Sequence, residues 1–351
     1  MPVIQFFVTF FVITQCVLQP SFNEEEWLDN IQKADSSLLY SSNVDSGGKY
    51  FNPWLKNPGF HVNGSWHLYQ LFTLGQRYDT FPEKEYSHLE NDYAYLRGDN
   101  FNSISFAGHA SVIIKMDKQT IFTDPFFSSK ALAAKKSVQI DFDFSKIPKG
   151  AVVLISHNHY DHLDQYSVEE LAKKGASFIV PLGVKKFFLD LGINEVYELD
   201  WWQDIKLGEI KYTLLPSQHI SRRMGSASRE TLWGSYLIEG SKTVYFSGDT
   251  GYFNGFKEYG SLYDIDYALL GAGASEPRWF MHHTHLNSND FFNAAEDLRA
   301  KIAIPIHFGV IKMTDEPILY PLYEIKKILE MNPEYSKQIK PLRVGEYLEI
   351  N

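Results

Sequence analysis

From residue 151 onwards the chain alternates short apolar runs with amphipathic stretches, and no other feature of the sequence constrains the fold as strongly. Residues 151–156 form a continuous apolar run of strand length, which predicts a strand buried on both faces. The stretch after it contains Ser167-Val-Glu-Glu170, a capping box that predicts the start of a helix. Further strands are predicted at 178–181, 195–199, 210–215, 231–238, 243–246, 267–270, 302–306 and near 344–350.

Helices are predicted between these strands, at 184–191, after Asn287 as N-cap, and from 321 to about 331. Upstream, residues 103–123 predict three strands, whereas residues 21–100 show little periodicity after one helix at 24–33. The order of strands followed by helices occurs twice along the chain, and the helices would cover both outer faces. This order predicts an α/β protein with a four-layer αβ/βα sandwich. We therefore expect an N-terminal segment of residues 1–20, an irregular wrapping segment of residues 21–100 and a sandwich domain of residues 101–351.

The composition narrows the classes of partner and of metal site. With 33 basic and 43 acidic residues the formal net charge is -10, so we expect no nucleic-acid partner, which would require clustered positive charge. Cys16 is the single cysteine, so no disulfide can form within the chain and a metal must be held by nitrogen and oxygen. Aromatic residues make up 15% of the chain, a surplus that a wide apolar cleft would use.

The amino terminus predicts a targeting segment. No charged side chain lies between Pro2 and Asn23, and residues 3–18 are mostly apolar. This run is shorter than the roughly 20 residues that cross a bilayer, so a secretory signal is favoured over a membrane anchor. Cys16 leaves open a lipoprotein cleavage site. The remaining alternative is that this apolar run is a buried strand or an N-terminal helix of the domain. We expect an exported or membrane-associated protein.

The clearest chemical signal is Ser156-His157-Asn158-His159-Tyr160-Asp161-His162, at the end of an apolar strand and before a helix. Imidazole and carboxylate are ligands that suit zinc, and also iron or manganese. His157 and His159 can point to one side of such a loop, while Asp161 and His162 can turn towards a second ion. Three further candidate ligands lie at the carboxyl ends of other predicted strands, which is where α/β proteins build their sites. They are His219, Asp249 and His307.

The run His157-x-His159-x-Asp161-His162, followed by separate His, Asp and His ligands, resembles the signature of the metallo-β-lactamase superfamily, whose fold is the αβ/βα sandwich. More narrowly, the chain resembles the family of N-acylphosphatidylethanolamine-hydrolysing phospholipases D over about residues 50–310. The segments that narrow the resemblance are Leu199-Asp-Trp-Trp202 and Glu276-Pro-Arg-Trp-Phe-Met281. Phe106, where a Trp is usual, and residues 220–230 depart from the family pattern near the expected mouth of the pocket, so the resemblance does not extend to the acyl and headgroup preference.

The resemblance implies a role for each candidate residue. His157, His159 and His219 would hold one divalent metal ion and Asp161, His162 and His307 a second, with Asp249 as the bridge, and the expected cofactors are two Zn²⁺ ions. A hydroxide shared by the two ions would attack phosphorus, release an N-acylethanolamine and leave phosphatidic acid. Tyr160 and His285 match positions implicated in substrate contact, and His285 is a candidate proton donor beside the catalytic carboxylates Asp161 and Asp249.

Several alternatives stay open on the sequence alone. The same ligand set serves hydrolases of other esters, lactones and phosphodiesters, so the ligands do not identify the bond that is cleaved. A closed metal site without turnover is a further alternative. The expected partner is a phospholipid substrate at a membrane surface, and a homodimer is also considered. For His109 we favour a buried hydrogen-bonding role over metal ligation, and for His282 and His283 an exposed position.

Overall fold

The structure, a computed structural model, describes residues 22–55, 78, 80–91, 93, 96, 101–132, 134–138, 142–225 and 227–350. The targeting segment predicted for residues 1–20 lies outside this range. Among the described residues, no helix is both long and apolar enough to pass through a bilayer.

The described strands are numbered in chain order. They are β1 Ser103–Gly108, β2 Ser111–Met116, β3 Gln119–Thr123, β4 Lys130–Ala131, β5 Ala134–Lys135, β6 Val152–Leu154, β7 Ser177–Pro181, β8 Val196–Leu199, β9 Asp204–Leu207, β10 Ile210–Leu215, β11 Ser235–Glu239, β12 Thr243–Phe246, β13 Tyr267–Gly271, β14 Ile302–Ile306 and β15 Tyr347–Glu349. They form a seven-stranded sheet in the order β15-β1-β2-β3-β6-β7-β8, a six-stranded sheet in the order β14-β13-β12-β11-β10-β9, and the short ribbon β4-β5.

The described α-helices are α1 Glu24–Gln32, α2 Gln165–Lys173, α3 Lys185–Asp190, α4 Gly255–Leu262, α5 Arg278–Met281, α6 Ser288–Asp297 and α7 Tyr320–Met331. Short 3-10 helices occupy Ser36–Tyr40, Glu83–Tyr86, Phe144–Lys146 and Pro333–Lys337. Asn287 caps α6 as predicted, because its side chain accepts from the Asp290 backbone N–H and the Asp290 side chain accepts in return from the Asn287 N–H.

The two faces of the seven-stranded sheet contact different layers. Neighbouring strand residues point to opposite faces, so Ile113 packs outwards with Leu171 of α2 and Phe188 of α3, whereas Ile114 packs inwards against the second sheet. Beyond that sheet, α6 packs on β13, and α4 and α7 contact α6. The helix–sheet–sheet–helix order is the predicted four-layer sandwich, so the predicted fold is confirmed.

Several described elements differ from the predicted ones. Helix α2 begins at Gln165 with Asp164 as N-cap, so the predicted capping box at Ser167 is wrong; the Asp164 carboxylate accepts from both the backbone N–H and the hydroxyl of Ser167. The strand predicted at 231–238 is Ser235–Glu239. Helix α4 was not predicted, because its two glycines disfavour a helix. Gly260 allows α4 to pack closely on α6, since a Cβ at this position would lie 2.1 Å from the carbonyl oxygen of Asp297.

Candidate metal centre

The carboxyl ends of strands from both sheets meet at one edge of the sandwich. Strand β6 ends at Leu154 and leads into the loop 156–162. Strands β10, β12 and β14 lead to His219, Asp249 and His307, and β3 leads directly to Asp124. The sheet order therefore gathers residues that are far apart in the sequence.

The seven predicted ligands form two adjacent clusters. In the first, the donor atoms of four residues lie within 4.8 Å of one another; these are His157, His159, His219 and Asp249. The second cluster has the same spread and consists of His109, Asp161, His162 and His307. The two groups that the resemblance implied are thus brought together, with His109 added to the second. That they bind metal ions stays a prediction.

The Asp249 carboxylate lies between the clusters. Its Oδ2 is 3.9 Å from His157 Nε2 and 3.1 Å from His162 Nε2. Its Oδ1 is 2.9 Å from His307 Nε2. A carboxylate that faces both clusters is suited to bridge two cations.

Three buried polar atoms at this point test whether the residues fit metal ions. His162 Nε2, His307 Nε2 and Asp249 Oδ1 have no hydrogen-bond partner among the described residues, although His307 Nε2 lies 2.9 Å from Asp249 Oδ1 and His162 Nε2 lies 3.1 Å from Asp249 Oδ2. Their side chains are almost wholly buried, and an unpaired buried polar atom is costly. Divalent cations at the two clusters would satisfy all three atoms, so these residues fit the implied metals.

Burial and neighbouring charges set the ionisation of the site. Burial lowers the pKa of His157 and of His219 well below the usual range, and that of His159 to about 4, so these imidazoles are neutral, as metal ligands must be. Burial alone would also lower the pKa of His162, but the nearby carboxylates, Asp249 foremost, raise it well above its ordinary value. The carboxylates around His162 thus form a negative environment that favours positive charge at this residue.

Two buried residues outside the predicted ligand set contact the ligands directly. Asp124 Oδ2 lies 2.7 Å from His162 Nδ1, and His109 Nε2 lies 2.7 Å from Asp161 Oδ2. The buried position favoured for His109 agrees with its 1% exposure. Asp124 was missed, although it follows the predicted strand 120–123 and the strand-end rule could have found it.

Two residues of the second cluster have a strained backbone. His109 has φ 57° and His307 has φ 68°, a left-handed conformation that residues other than glycine seldom adopt. Two backbone hydrogen bonds hold these residues there. The His307 N–H donates to the His109 carbonyl at 2.7 Å, and the His109 N–H donates to the carbonyl of Phe308, the next residue after His307, at 2.8 Å. The surrounding fold thus fixes both rings against the second cluster.

A pocket of about 410 Å³ opens above the clusters. His159, Asp161, Asp249 and His307 contribute to its floor, and its walls are mostly apolar. The two predicted substrate residues, Tyr160 and His285, both line it. His285 Nε2 is 3.2 Å from Asp249 Oδ2, and the Arg223 guanidinium lies 4.0 Å from the centre of the Tyr160 ring. The structure therefore places both residues beside the clusters.

The exposed position predicted for His282 and His283 is wrong. His282 is 6% exposed and His283 is half-buried. Trp27 of α1 meets both rings edge-on, with ring centres 4.6 and 4.7 Å apart. The contact comes from a helix about 250 residues away in the sequence, which no local pattern could indicate.

Comparisons with known proteins agree with this geometry. The profile of the beta-lactamase superfamily domain matches residues 119–308. The chain is 29% identical over 308 residues to the N-acyl-phosphatidylethanolamine-hydrolyzing phospholipase D 1 of Caenorhabditis elegans, a match that covers 80% of this chain and 85% of the relative. It is 33% identical over 232 residues to the mitochondrial N-acyl-phosphatidylethanolamine-hydrolyzing phospholipase D of Saccharomyces cerevisiae, covering 62% of this chain and 48% of that relative.

The fold is also similar to solved structures. A metallo hydrolase from the hyperthermophilic archaeon Ignicoccus hospitalis superposes with a TM-score of 0.54 at 20% sequence identity. The match covers 72% of this chain and 99% of that protein. At this identity the similarity concerns the fold.

Proposed function

Because this chain belongs to the metallo-β-lactamase superfamily and is a metal-dependent hydrolase, we propose that it is a binuclear phosphodiesterase of the phospholipase D type. Its substrate would be N-acylphosphatidylethanolamine at a membrane surface, and its products an N-acylethanolamine and phosphatidic acid. The observation that carries the proposal is the apolar pocket directly above the two clusters.

The pocket suits a substrate with a charged centre and long acyl chains. Phe280, Met281 and Leu132 contribute apolar wall, while carboxylates and imidazoles form the floor. Acyl chains can bury apolar surface along such walls, at roughly 25 cal/mol per Å². A small soluble substrate such as a lactone would leave most of this wall uncovered.

The metal-binding residues would act at the phosphodiester. His157, His159 and His219 would hold one divalent cation, Asp161, His162 and His307 a second, and Asp249 would contact both. Bound cations of this kind make water nucleophilic at neutral pH and neutralise the charge that develops on phosphorus oxygens. The chain's own contribution is to orient the ligands and to exclude bulk water by the apolar walls.

His285 would protonate the leaving group. When the bond between phosphorus and the ethanolamine oxygen breaks, that oxygen needs a proton, and an imidazole on the pocket floor can supply it. His285 Nδ1 lies 2.9 Å from Thr284 Oγ1, which helps to hold the ring so that Nε2 faces Asp249. Tyr160, braced by Arg223, would contact the headgroup from the other side of the floor.

The test is to incubate the purified protein with N-acylphosphatidylethanolamine in detergent micelles and to measure N-acylethanolamine release. We expect release that a chelator abolishes and that added Zn²⁺ restores. Asp249→Asn should lose both bound metal and release, whereas Asp190→Asn on the exposed face of α3 should keep them. Chelator-sensitive hydrolysis of a lactone, without release from this lipid, would overturn the proposal.

A further inference from the structure

We propose that the ribbon β4-β5, together with the neighbouring Lys312 and Met313, is a docking surface for an anionic phospholipid bilayer. The inference rests on the proposed function, because it identifies where the membrane that holds the lipid substrate would contact the protein. Four observations carry it: the position of the ribbon, its charge, its exposed apolar side chains and their relation to the pocket.

The ribbon stands at the mouth of the pocket. Its strands pair Lys130 with Lys135 and Ala131 with Ala134. An isolated bridge between Lys136 and Ile311 then joins it to the segment that continues to Lys312 and Met313. Ala131, Leu132, Ala134 and Met313 line the pocket that also reaches the metal clusters. A surface bound to the ribbon would therefore lie at the entrance to the candidate site.

The charge of this surface is unusual for an acidic protein. Lys130 and Lys135 are directly opposite each other, an arrangement in which like charges destabilise a strand pair. Both are exposed, as is Lys312, and no carboxylate in the described part of the chain forms an ion pair with any of the three ammonium groups. Three cations without counterions, in a chain of net charge -10, are complementary to an anionic partner.

The same surface exposes two large apolar side chains. Leu132, between the two strands, is 51% exposed, and Met313 is 36% exposed. Lysines flanking exposed apolar side chains suit the boundary of a bilayer, where the apolar groups enter the acyl region and the ammonium groups stay with the lipid phosphates. A nucleic acid would offer phosphates but no apolar layer, so the bilayer is the occupant that satisfies both features.

The experiment measures co-sedimentation of the protein with vesicles, independently of catalysis. We expect binding to vesicles of phosphatidylcholine and phosphatidylserine in equal parts, weaker binding to pure phosphatidylcholine, and loss of binding as salt is raised. In Lys130→Gln/Lys135→Gln/Lys312→Gln the partition coefficient should fall on the order of 100-fold, since each lysine near an anionic surface contributes about 1 kcal/mol. Binding of this variant equal to wild type would overturn the proposal.

A matched control removes the same charge elsewhere. Lys118, Lys149 and Lys337 are exposed and lie at the opposite end of the sandwich, where β3, β6 and β14 begin. We expect Lys118→Gln/Lys149→Gln/Lys337→Gln to bind vesicles like wild type. If both triple variants lost the same amount of vesicle binding, the effect would depend only on net charge, which would contradict the proposal.

Insertion of the ribbon tip is tested with Leu132→Trp. Brominated phosphatidylcholine should quench the fluorescence of this variant more than that of wild type, because only the variant carries a Trp at the tip. Equal quenching would contradict insertion. Hydrolysis of the lipid in detergent micelles is measured in parallel. If the docking proposal is wrong, vesicle binding does not depend on the ribbon. If the proposed activity is wrong, the protein does not hydrolyse the lipid in micelles.

Discussion

At the scale of single residues, the contact between Asp124 and His162 decides which nitrogen a metal ion can use. Asp124 Oδ2 lies 2.7 Å from His162 Nδ1, and Asp124 Oδ1 accepts from the Ser156 N–H at 2.7 Å. Both side chains of the pair are fully buried. Because Nδ1 is engaged, Nε2 is the nitrogen presented to the second cluster.

Asp124→Asn should weaken metal binding by about 10–100-fold, because outer partners of this kind orient the ring and raise its basicity. The affinity is measured by competition with a chromophoric chelator, and circular dichroism confirms that the fold is kept. The exposed variant Asp190→Asn serves as control. Unchanged affinity in Asp124→Asn would show that the contact does not tune the ligand.

His285→Gln separates proton donation from metal binding. Glutamine keeps a polar side chain of similar length but cannot act as a general acid, so phosphodiester hydrolysis should fall by about 100-fold or more. Metal content should stay at the wild-type level, since His285 is outside both predicted ligand sets. Full activity in this variant would exclude His285 as the proton donor; the exposed His88→Gln provides the comparison.

At the scale of elements, helix α1 braces one wall of the site. Its Trp27 packs against His282 and His283, which immediately follow α5. Its Glu24 lies 3.4 Å from Arg278, the first residue of α5. The wall that carries His285 thus depends on a helix from the segment predicted to wrap the sandwich.

This contact should make stability depend on pH. Burial lowers the pKa of His282 to about 3 and that of His283 to about 4, whereas the unfolded chain has values of about 6.5. The unfolded state therefore binds more protons below pH 6.5, so the stability contributed by the neutral rings is present above that pH and declines as the pH falls towards 4.

Between pH 7 and pH 5, wild type should lose more free energy of unfolding than His282→Gln/His283→Gln, by on the order of 1 kcal/mol per histidine. Urea titrations at the two pH values measure the difference. The remaining histidines are common to both proteins, so their contribution cancels in the comparison. Parallel pH dependence in the two proteins would contradict this account of the α1 contact.

At the scale of the whole molecule, the centre requires the two sheets to keep their separation, and Tyr236 connects them. Its hydroxyl, on β11 of the six-stranded sheet, lies 3.0 Å from the carbonyl oxygens of both Ile155 and Ile179 in the other sheet's region. The side chain is fully buried. Ile155 directly precedes the loop of predicted ligands, so this bond ties that loop to the opposite sheet.

Tyr236→Phe should lower the free energy of unfolding by about 1–2 kcal/mol, because the variant loses a buried hydrogen bond without changing the packed ring. Tyr197→Phe removes a hydroxyl bonded to Glu195 on the exposed surface and should change stability by less than about 0.5 kcal/mol. Denaturant unfolding of both variants measures the difference. Equal effects would show that the bond between the sheets adds nothing beyond a surface contact.

The alternation of strands and helices and the chemistry of the ligands can be predicted from local sequence. A strand's apolar period and the side chain that follows it are local properties, so strand β10 at Ile210–Leu215 and the position of His307 after β14 were predictable. The choice of Asp164 over Ser167 as N-cap shows where local prediction fails, because both side chains, three residues apart, are good capping groups and only their geometry decides.

The tertiary structure alone decided which residues meet. The contact of His109 with Asp161, the edge-on packing of Trp27 and His283 and the close approach of Gly260 to Asp297 all join segments distant in sequence. Such pairs depend on sheet order and on layer packing, which no local pattern encodes. The ligand types could be read from the chain, and their division into two sets with Asp249 between them was implied by the resemblance, whereas the addition of His109 to the second cluster appeared only in the folded sandwich.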